Sequence, residues 1–362
     1  MSPEFIKLTG GDPDVEAPQH VIDVALDAIK EGGRWTHYAG TEIPRQFKEA
    51  VVDYYKAFGP EYKPENVVPA AGSSAALFIA LRTVLDKGDE ILLWSPSFRG
   101  HYRILECMDV RMSIAPLVRE TGYHPDLDTL EDYIGPDTKA VLICNPNNPT
   151  GTVFTEKELR AIGDLALDRD LTVFSDEIYL HYVYDDNKFY SMASFEGLED
   201  RTINIMSFSK TFSMTGWRLG YTIVPDGYLE RASTIASITA PRPATFVYAA
   251  GTAALRGDMT YVEERRKAYD ERRRYFCGAV DGIEGLSCHL FEGAFYAWFD
   301  ARSTGLGSEE FCDRLKEQEN VALSPGHTFG VETDGFIRVP LVQPVPVLGD
   351  VVERLRRFVR SL

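Results

Sequence analysis

Between Ser207 and Gly220 the chain reads SFSKTFSMTGWRLG. Lys210 stands there in a loop of small and hydroxyl residues, and Arg218 follows eight positions later. An apolar, strand-like segment (RTINIM, Arg201 to Met206) leads in, and another (YTIV, Tyr221 to Val224) leads out. A lysine at the end of a buried strand loses solvation, and desolvation lowers the pKa of an amine. A neutral amine attacks a carbonyl carbon and forms a Schiff base. The guanidinium of Arg218 and the hydroxyls of Ser207 and Ser209 suit a dianionic phosphate close by. Together these residue types describe an amine that takes up an aldehyde beside a seat for a phosphate.

The elements that must position this loop are legible as alternating short apolar runs and helical segments. The strand candidates are Val67 to Ala70, Glu90 to Trp94, Val110 to Ala115, Ala140 to Cys144, Leu171 to Ser175, Ile203 to Ser207 and Leu219 to Val224. Helices are expected between them at Ser74 to Leu85, His101 to Met108, Leu127 to Ile134 and Glu156 to Arg169. Two earlier helices are expected at Val15 to Glu31 and Ile43 to Phe58. In the first, Val21, Val24, Ala25, Ala28 and Ile29 recur at helical spacing. Such alternation predicts an α/β fold with a mostly parallel central sheet covered by helices. Ligands of such sheets bind beyond the carboxyl ends of the strands. The segments AAGSSAAL (Ala70 to Leu77), SPSFRGHY, NPNNPTG and FSDEIY all fall at those ends. In the first, small residues run from a strand into a helix start, where free N–H groups face an anion.

Composition narrows the class of protein. The chain has 362 residues, 44% of them hydrophobic, enough for more than one core of ordinary domain size. A net charge of −17 argues against a nucleic-acid or anionic-membrane surface. Five scattered cysteines without a C-x-x-C pair suggest neither a disulfide framework nor a metal site, and fit reduced, buried thiols in the cytoplasm. No apolar run is long enough to span a bilayer.

The pattern S-x-S-K-x-F-x-M-x-G-W-R-x-G resembles the lysine signature of the class I/II aminotransferases, which are fold-type I pyridoxal phosphate enzymes. The resemblance covers nearly the whole chain, and its motifs come in the family's order. It implies that Lys210 forms the Schiff base and then acts as acid and base. It implies a phosphate seat of Gly72, Ser73, Ser74, Ser207, Ser209 and Arg218. Phe98 would stack on the pyridine ring, and His101 would back the carboxylate at the ring nitrogen. Asp176 would be that carboxylate, keeping the ring protonated as an electron sink. Asn148 and Tyr179 would bond the phenolic oxygen. The segment LTGGDPD (Leu8 to Asp14) would lie over the substrate through Gly10 and Gly11. Arg338, in GFIRV, would bind the substrate α-carboxylate in bidentate fashion, near Asn148.

The same resemblance implies a homodimer with shared active sites, in which Tyr38 of WTHYAG reaches the neighbour's phosphate. It implies three parts: residues 1–40 as a segment shared with the small domain and forming a lid, 41–245 as the cofactor domain, and 246–362 as an interdomain helix and small α+β domain. Thr245 to about Val280 is expected as one long helix with a charged, solvated stretch, EERRKAYDERRRY. The turn TAPRPAT carries Arg242, which either replaces the arginine that holds a distal acid in dicarboxylate-specific members or marks a different substrate. Amino-group transfer from an L-amino acid to a 2-oxo acid is the expected reaction. The same residues also serve elimination, replacement or ring closure, as in enzymes like aminocyclopropane-carboxylate synthase or the arginine cyclases. A regulatory module without catalysis is disfavoured, since every catalytic position is filled.

Overall fold

A computed structural model of the chain describes residues 4–239 and 242–362. Ala240 and Pro241 of the TAPRPAT turn lie outside the described residues. The chain opens with a short strand, β1 (Ile6–Lys7), followed by helices α1 (Gln19–Glu31) and α2 (Glu42–Tyr55). α1 begins later than its apolar spacing predicts, because Pro18 stands at its N-cap and a proline cannot sit inside the helix ladder. It buries Val21, Ala25 and Ala28, but leaves Val24 and Ile29 at 38% and 45% exposure.

Seven strands follow: β2 (Val67–Ala70), β3 (Glu90–Ser95), β4 (Arg111–Pro116), β5 (Thr138–Cys144), β6 (Thr172–Asp176), β7 (Thr202–Ser207) and β8 (Gly220–Ile223). They form one sheet in the order β2-β8-β7-β6-β5-β3-β4, in which only β8 runs against its neighbours. Strands β6 and β7 are buried along their whole length, as expected of parallel strands covered on both faces. The intervening helices are α3 (Ser73–Val84), α4 (Arg99–Cys107), α5 (Glu156–Asp168), the single turn α6 (Phe208–Thr211) and α7 (Leu229–Thr239). The helix expected at Leu127 to Ile134 is only a 3-10 turn, Leu130–Tyr133. Asp126 accepts the Asp128 N–H at 3.0 Å just before it, and such local bonds compete with a helix.

The expected long helix after Thr245 is two helices, α8 (Thr245–Arg256) and α9 (Thr260–Asp281). Between them Asp258 accepts the Thr260 N–H at 2.9 Å and its hydroxyl at 2.6 Å, which starts a new helix rather than continuing the old one. Nor is the charged stretch of α9 only a solvated face. Arg272 grips Asp14 through both carboxylate oxygens (2.9 and 2.7 Å), and the fully buried Arg273 pairs with Asp270 and Asp185. Buried guanidinium groups need such partners.

The rest of the chain adds β9 (Ser287–Cys288), β10 (Tyr296–Asp300), α10 (Ser308–Glu319), β11 (Val321–Ala322), β12 (Ser324–Pro325), β13 (Phe336–Pro340) and α11 (Val345–Arg360). Four of these strands make an antiparallel sheet, β12-β13-β10-β9, while β11 pairs in parallel with β1. One apolar cluster joins α9, α10, α11 and this sheet, and it includes Leu8 from the N-terminal segment. All five cysteines are free. Cys107, at the outer end of α4, is exposed against expectation, and the other four are buried. No helix among the described residues is long and apolar enough to cross a membrane.

Candidate active site

Strands β5, β6 and β7 end side by side, with Cys144 opposite Asp176 and Asp176 opposite Ile205. The residues that follow these ends meet in a cavity of about 230 Å³. Asn148, Asp176, Tyr179 and Lys210 line it from the parallel strands, and Phe98 does so from the end of β3. The antiparallel β8 contributes at its start. Gly220 pairs with both Ser207 and Ala70, which brings Arg218 against the loop that opens α3.

That loop gathers donors that could hold an anion. Gly72 caps α3, no side chain caps the helix, and the first N–H groups of a helix have no partner within it. Ser73, Ser74, Ser209 and Arg218 line the cavity here. Gly72 has φ +87°, and a Cβ at this position would stand 2.4 Å from a guanidinium nitrogen of Arg218. Only glycine lets that guanidinium close against the backbone. Ser207 does not line the cavity. Its Oγ accepts the Ser209 N–H at 3.1 Å and caps α6, while Ser209 itself lines the cavity.

At the other end, Asp176 accepts from His101 Nε2 at 2.9 Å. That leaves His101 Nδ1 to accept from the Ser97 hydroxyl at 3.0 Å, and both members of the pair are buried. Lys210 Nζ donates to the Gly11 carbonyl. Burial, and then the charges of Arg338 and Arg218 against the opposing Asp12, bring its pKa down to about 8. The fit over the lysine is close: a Cβ on Gly11 would stand 2.0 Å from the Tyr296 hydroxyl. Gly10 also lines the cavity.

Arg338, on β13, enters from the second sheet. Its Nη1 donates to Asn148 Oδ1 at 3.1 Å and its Nη2 to the Thr9 carbonyl at 2.8 Å, while Nε is buried without a partner. The guanidinium lies 4.6 Å from the ring centres of both Tyr296 and Phe329. Asn148 Nδ2 donates to the Tyr179 hydroxyl at 3.4 Å, and the Tyr179 and Tyr296 hydroxyls share a 2.9 Å bond. Burial holds the Tyr179 phenol well above its ordinary pKa, so it stays a neutral donor.

Tyr38 is fully exposed, and with Arg242 it lines a wider surface depression outside the cavity. Arg242 also lines a second depression that shares Thr215 and Arg218 with the cavity. Wider depressions exist, but the amine, the buried carboxylate and the anion cradle are all in the small one. Sequence reasoning did not single out Thr9, Arg99, Cys144 or Tyr296. Arg99 was open to notice as the charge next to Phe98. Tyr296 lies in an ordinary apolar strand 117 residues from Tyr179 and gives no local signal.

A doubly covered, mostly parallel sheet with a desolvated lysine at its carboxyl edge defines a narrow class of enzyme, and comparison with known proteins gives the same class. Residues 3–354 match the family model described as aminotransferase class I and II. The aspartate aminotransferase of Pyrococcus horikoshii is 33% identical over 357 residues, covering 98% of this chain and 90% of that protein. Aromatic-amino-acid aminotransferase 2 of Thermococcus litoralis is 33% identical, covering 99% and 92%. The crystal structure of an aromatic aminotransferase from Pyrococcus horikoshii superposes with a TM-score of 0.94 at 34% identity, covering 99% and 96%. The chain belongs to the class I and II aminotransferase family, and it is an aminotransferase.

Proposed function

We propose that this cavity binds pyridoxal phosphate and transfers an amino group from an L-amino acid to a 2-oxo acid. The donor set suits that cofactor. A dianion fits the cradle of Ser73, Ser74, Ser209 and Arg218, whose closeness depends on the missing Cβ of Gly72. A protonated ring nitrogen fits the buried Asp176, which His101 already orients. Phe98 offers a ring face, and Asn148 and Tyr179 offer donors for a phenolic oxygen. When bound, the cofactor supplies an aldehyde for an amine and a ring that takes up the electron pair released at the substrate α-carbon.

The chain's own residues do the remaining work. With a pKa of about 8, Lys210 is partly neutral at physiological pH, so its amine is available as nucleophile and base. Its amine would take the proton from the substrate α-carbon and deliver it to the carbon that the cofactor's aldehyde supplies. Arg338 holds the α-carboxylate, and its unpartnered Nε is a donor not yet used. Asp176 holds the ring-nitrogen proton. The Gly10–Gly11 segment covers the amine and keeps water away from it. The observation that carries the proposal is one cavity holding the desolvated Lys210, the His101-backed Asp176 and the Arg218 cradle.

A homodimer belongs to the same proposal, with Tyr38 reaching a neighbour's site. Its support is a surface depression in which the exposed Ile29 and Tyr38 meet Trp35 and Phe246. Residues 41–245 would be the cofactor unit, and the pairing of β1 with β11 joins the start of the 1–40 segment to 246–362. α1 and α8 pack instead with α2 in the apolar cluster that holds Phe208 and Tyr221. The test is spectroscopic. Purified protein is loaded with pyridoxal phosphate and mixed with single amino acids, without an acceptor. The visible cofactor band should bleach with a donor and return on adding a 2-oxo acid. A band that persists while ammonia or a cyclised product is released would refute transfer.

A further inference from the structure

Tyr296 is buried at the cavity wall, where three parts of the site converge on it. It stands on β10, beside the β13 strand that carries Arg338. Its hydroxyl lies 2.9 Å from that of Tyr179, and its ring centre lies 4.6 Å from the Arg338 guanidinium carbon. The same hydroxyl abuts Gly11, the glycine whose carbonyl accepts from Lys210. One side chain thus touches the Tyr179 donor, the Arg338 seat and the cover over the amine.

The bond between the two phenols has a direction. A hydroxyl has one hydrogen to give. Tyr179 also receives from Asn148 Nδ2 at 3.4 Å, whereas the Tyr296 hydroxyl has no second hydrogen-bond partner among the described residues. Burial raises the pKa of both phenols, and at Tyr296 the charge of Arg338 leads the opposing influences. The more acidic hydroxyl is the better donor, so Tyr296 gives its hydrogen to Tyr179. The Tyr179 oxygen then accepts twice, and its own hydrogen is left for the cavity. Hydrogen bonds in a chain polarise one another, which strengthens the last donor. On the other side of this contact, the buried guanidinium of Arg338 lies 4.6 Å from the ring centres of both Tyr296 and Phe329, and aromatic faces attract a cation that water no longer solvates.

We propose that Tyr296 is a positioning residue of the active site: its hydroxyl aims the Tyr179 hydrogen at the cofactor's phenolic oxygen, and its ring seats Arg338 for the substrate carboxylate. The inference rests on the pyridoxal phosphate reading and adds a residue to it.

The test reads the resting, cofactor-loaded enzyme by its visible band. The band is titrated with pH in wild type, Tyr296→Phe, Tyr179→Phe and the double variant. A donor at the phenolic oxygen withdraws charge from it and weakens its hold on the proton it shares with the neighbouring nitrogen. The midpoint of the band should therefore rise in Tyr296→Phe, by about half a pH unit, a roughly 3-fold stronger hold on the proton. Tyr179→Phe should raise it further. Adding Tyr296→Phe to that variant should change nothing, because the hydroxyl acts only through Tyr179. An unmoved midpoint in Tyr296→Phe, or a second rise in the double variant, overturns the relay. The ring is tested by Tyr296→Met and Tyr296→Leu, which fill the space without an aromatic face. Half-saturation by the donor amino acid, read as single-turnover bleaching, should need about 10-fold more donor in these than in Tyr296→Phe, as loss of a desolvated cation–π contact implies. Equal half-saturation overturns the ring's part. A wild type that takes up no cofactor overturns the pyridoxal phosphate reading, and the inference with it.

Discussion

Lys210 should be a liability to the cofactor-free fold. Its amine has a pKa of about 8 in the folded chain against an ordinary 10.5. At 1.36 kcal/mol per pH unit, that gap costs the fold about 3 kcal/mol at pH 7, where both states hold the proton. Between about pH 8 and 10.5 the unfolded chain keeps the proton and the folded one does not, so stability rises with pH. Lys210→Met keeps the stem and removes the charge. It also loses the hydrogen bond to the Gly11 carbonyl, which is worth about 1 kcal/mol. The cofactor-free variant should therefore be more stable than wild type by about 2 kcal/mol at pH 7. The advantage should shrink by about 2 kcal/mol by pH 9.5, because the wild type has by then shed most of its penalty. Urea unfolding of cofactor-stripped protein, followed by far-ultraviolet circular dichroism at both pH values, measures this. A variant no more stable than wild type at pH 7, or an advantage that grows with pH, would refute the argument that burial sets the amine's pKa.

Glu177 titrates in the opposite sense. It is fully buried, and burial pushes its pKa up to about 7, despite donors from Ser175, Ser191, Asn204 and Tyr55. The folded chain holds a proton between about pH 4.5 and 7 that the unfolded chain has lost, so stability falls by about 3 kcal/mol as pH rises through that window. Glu177→Gln cannot titrate, and its stability relative to wild type should rise by about that amount between pH 4.5 and 8. A difference that stays flat with pH would sink the argument. Gly72→Ala must displace the Arg218 guanidinium and also adopt a backbone conformation that disfavours side chains. It should weaken pyridoxal phosphate binding by about 10-fold or more, as expected when one charged contact is lost. Fluorescence titration with the cofactor measures this, and unaltered affinity would remove Gly72 from the cradle.

Where function sits close to strand ends, the sequence showed it. Asn148, Tyr179 and Lys210 come within four residues of β5, β6 and β7, and Asp176 closes β6. Parallel strands announce themselves as apolar runs, and polar residues clustered just beyond them stand out. Contacts between distant segments gave no such signal. Tyr296 meets Arg338 across adjacent strands of one sheet and Tyr179 where that sheet meets the larger one, and nothing around it in the chain marks that role. The charged run of α9 looked solvated because its partners, Asp14 and Asp185, lie far away in sequence. The break at Gly257 was legible in principle, since Asp258 and Thr260 form an ordinary helix start there.

The way the N-terminal segment closes the cavity ties the lysine's reactivity to contacts between distant parts of the chain. β1 pairs with β11, and the Thr9 carbonyl meets Arg338, a partner 329 residues further along. Contacts of such long sequence separation form late in folding. A chain in which β11 and β13 have not yet packed lacks the cover over Lys210, and a solvated amine there is an ordinary lysine. The same long-range closure that completes the fold therefore also completes the nucleophile.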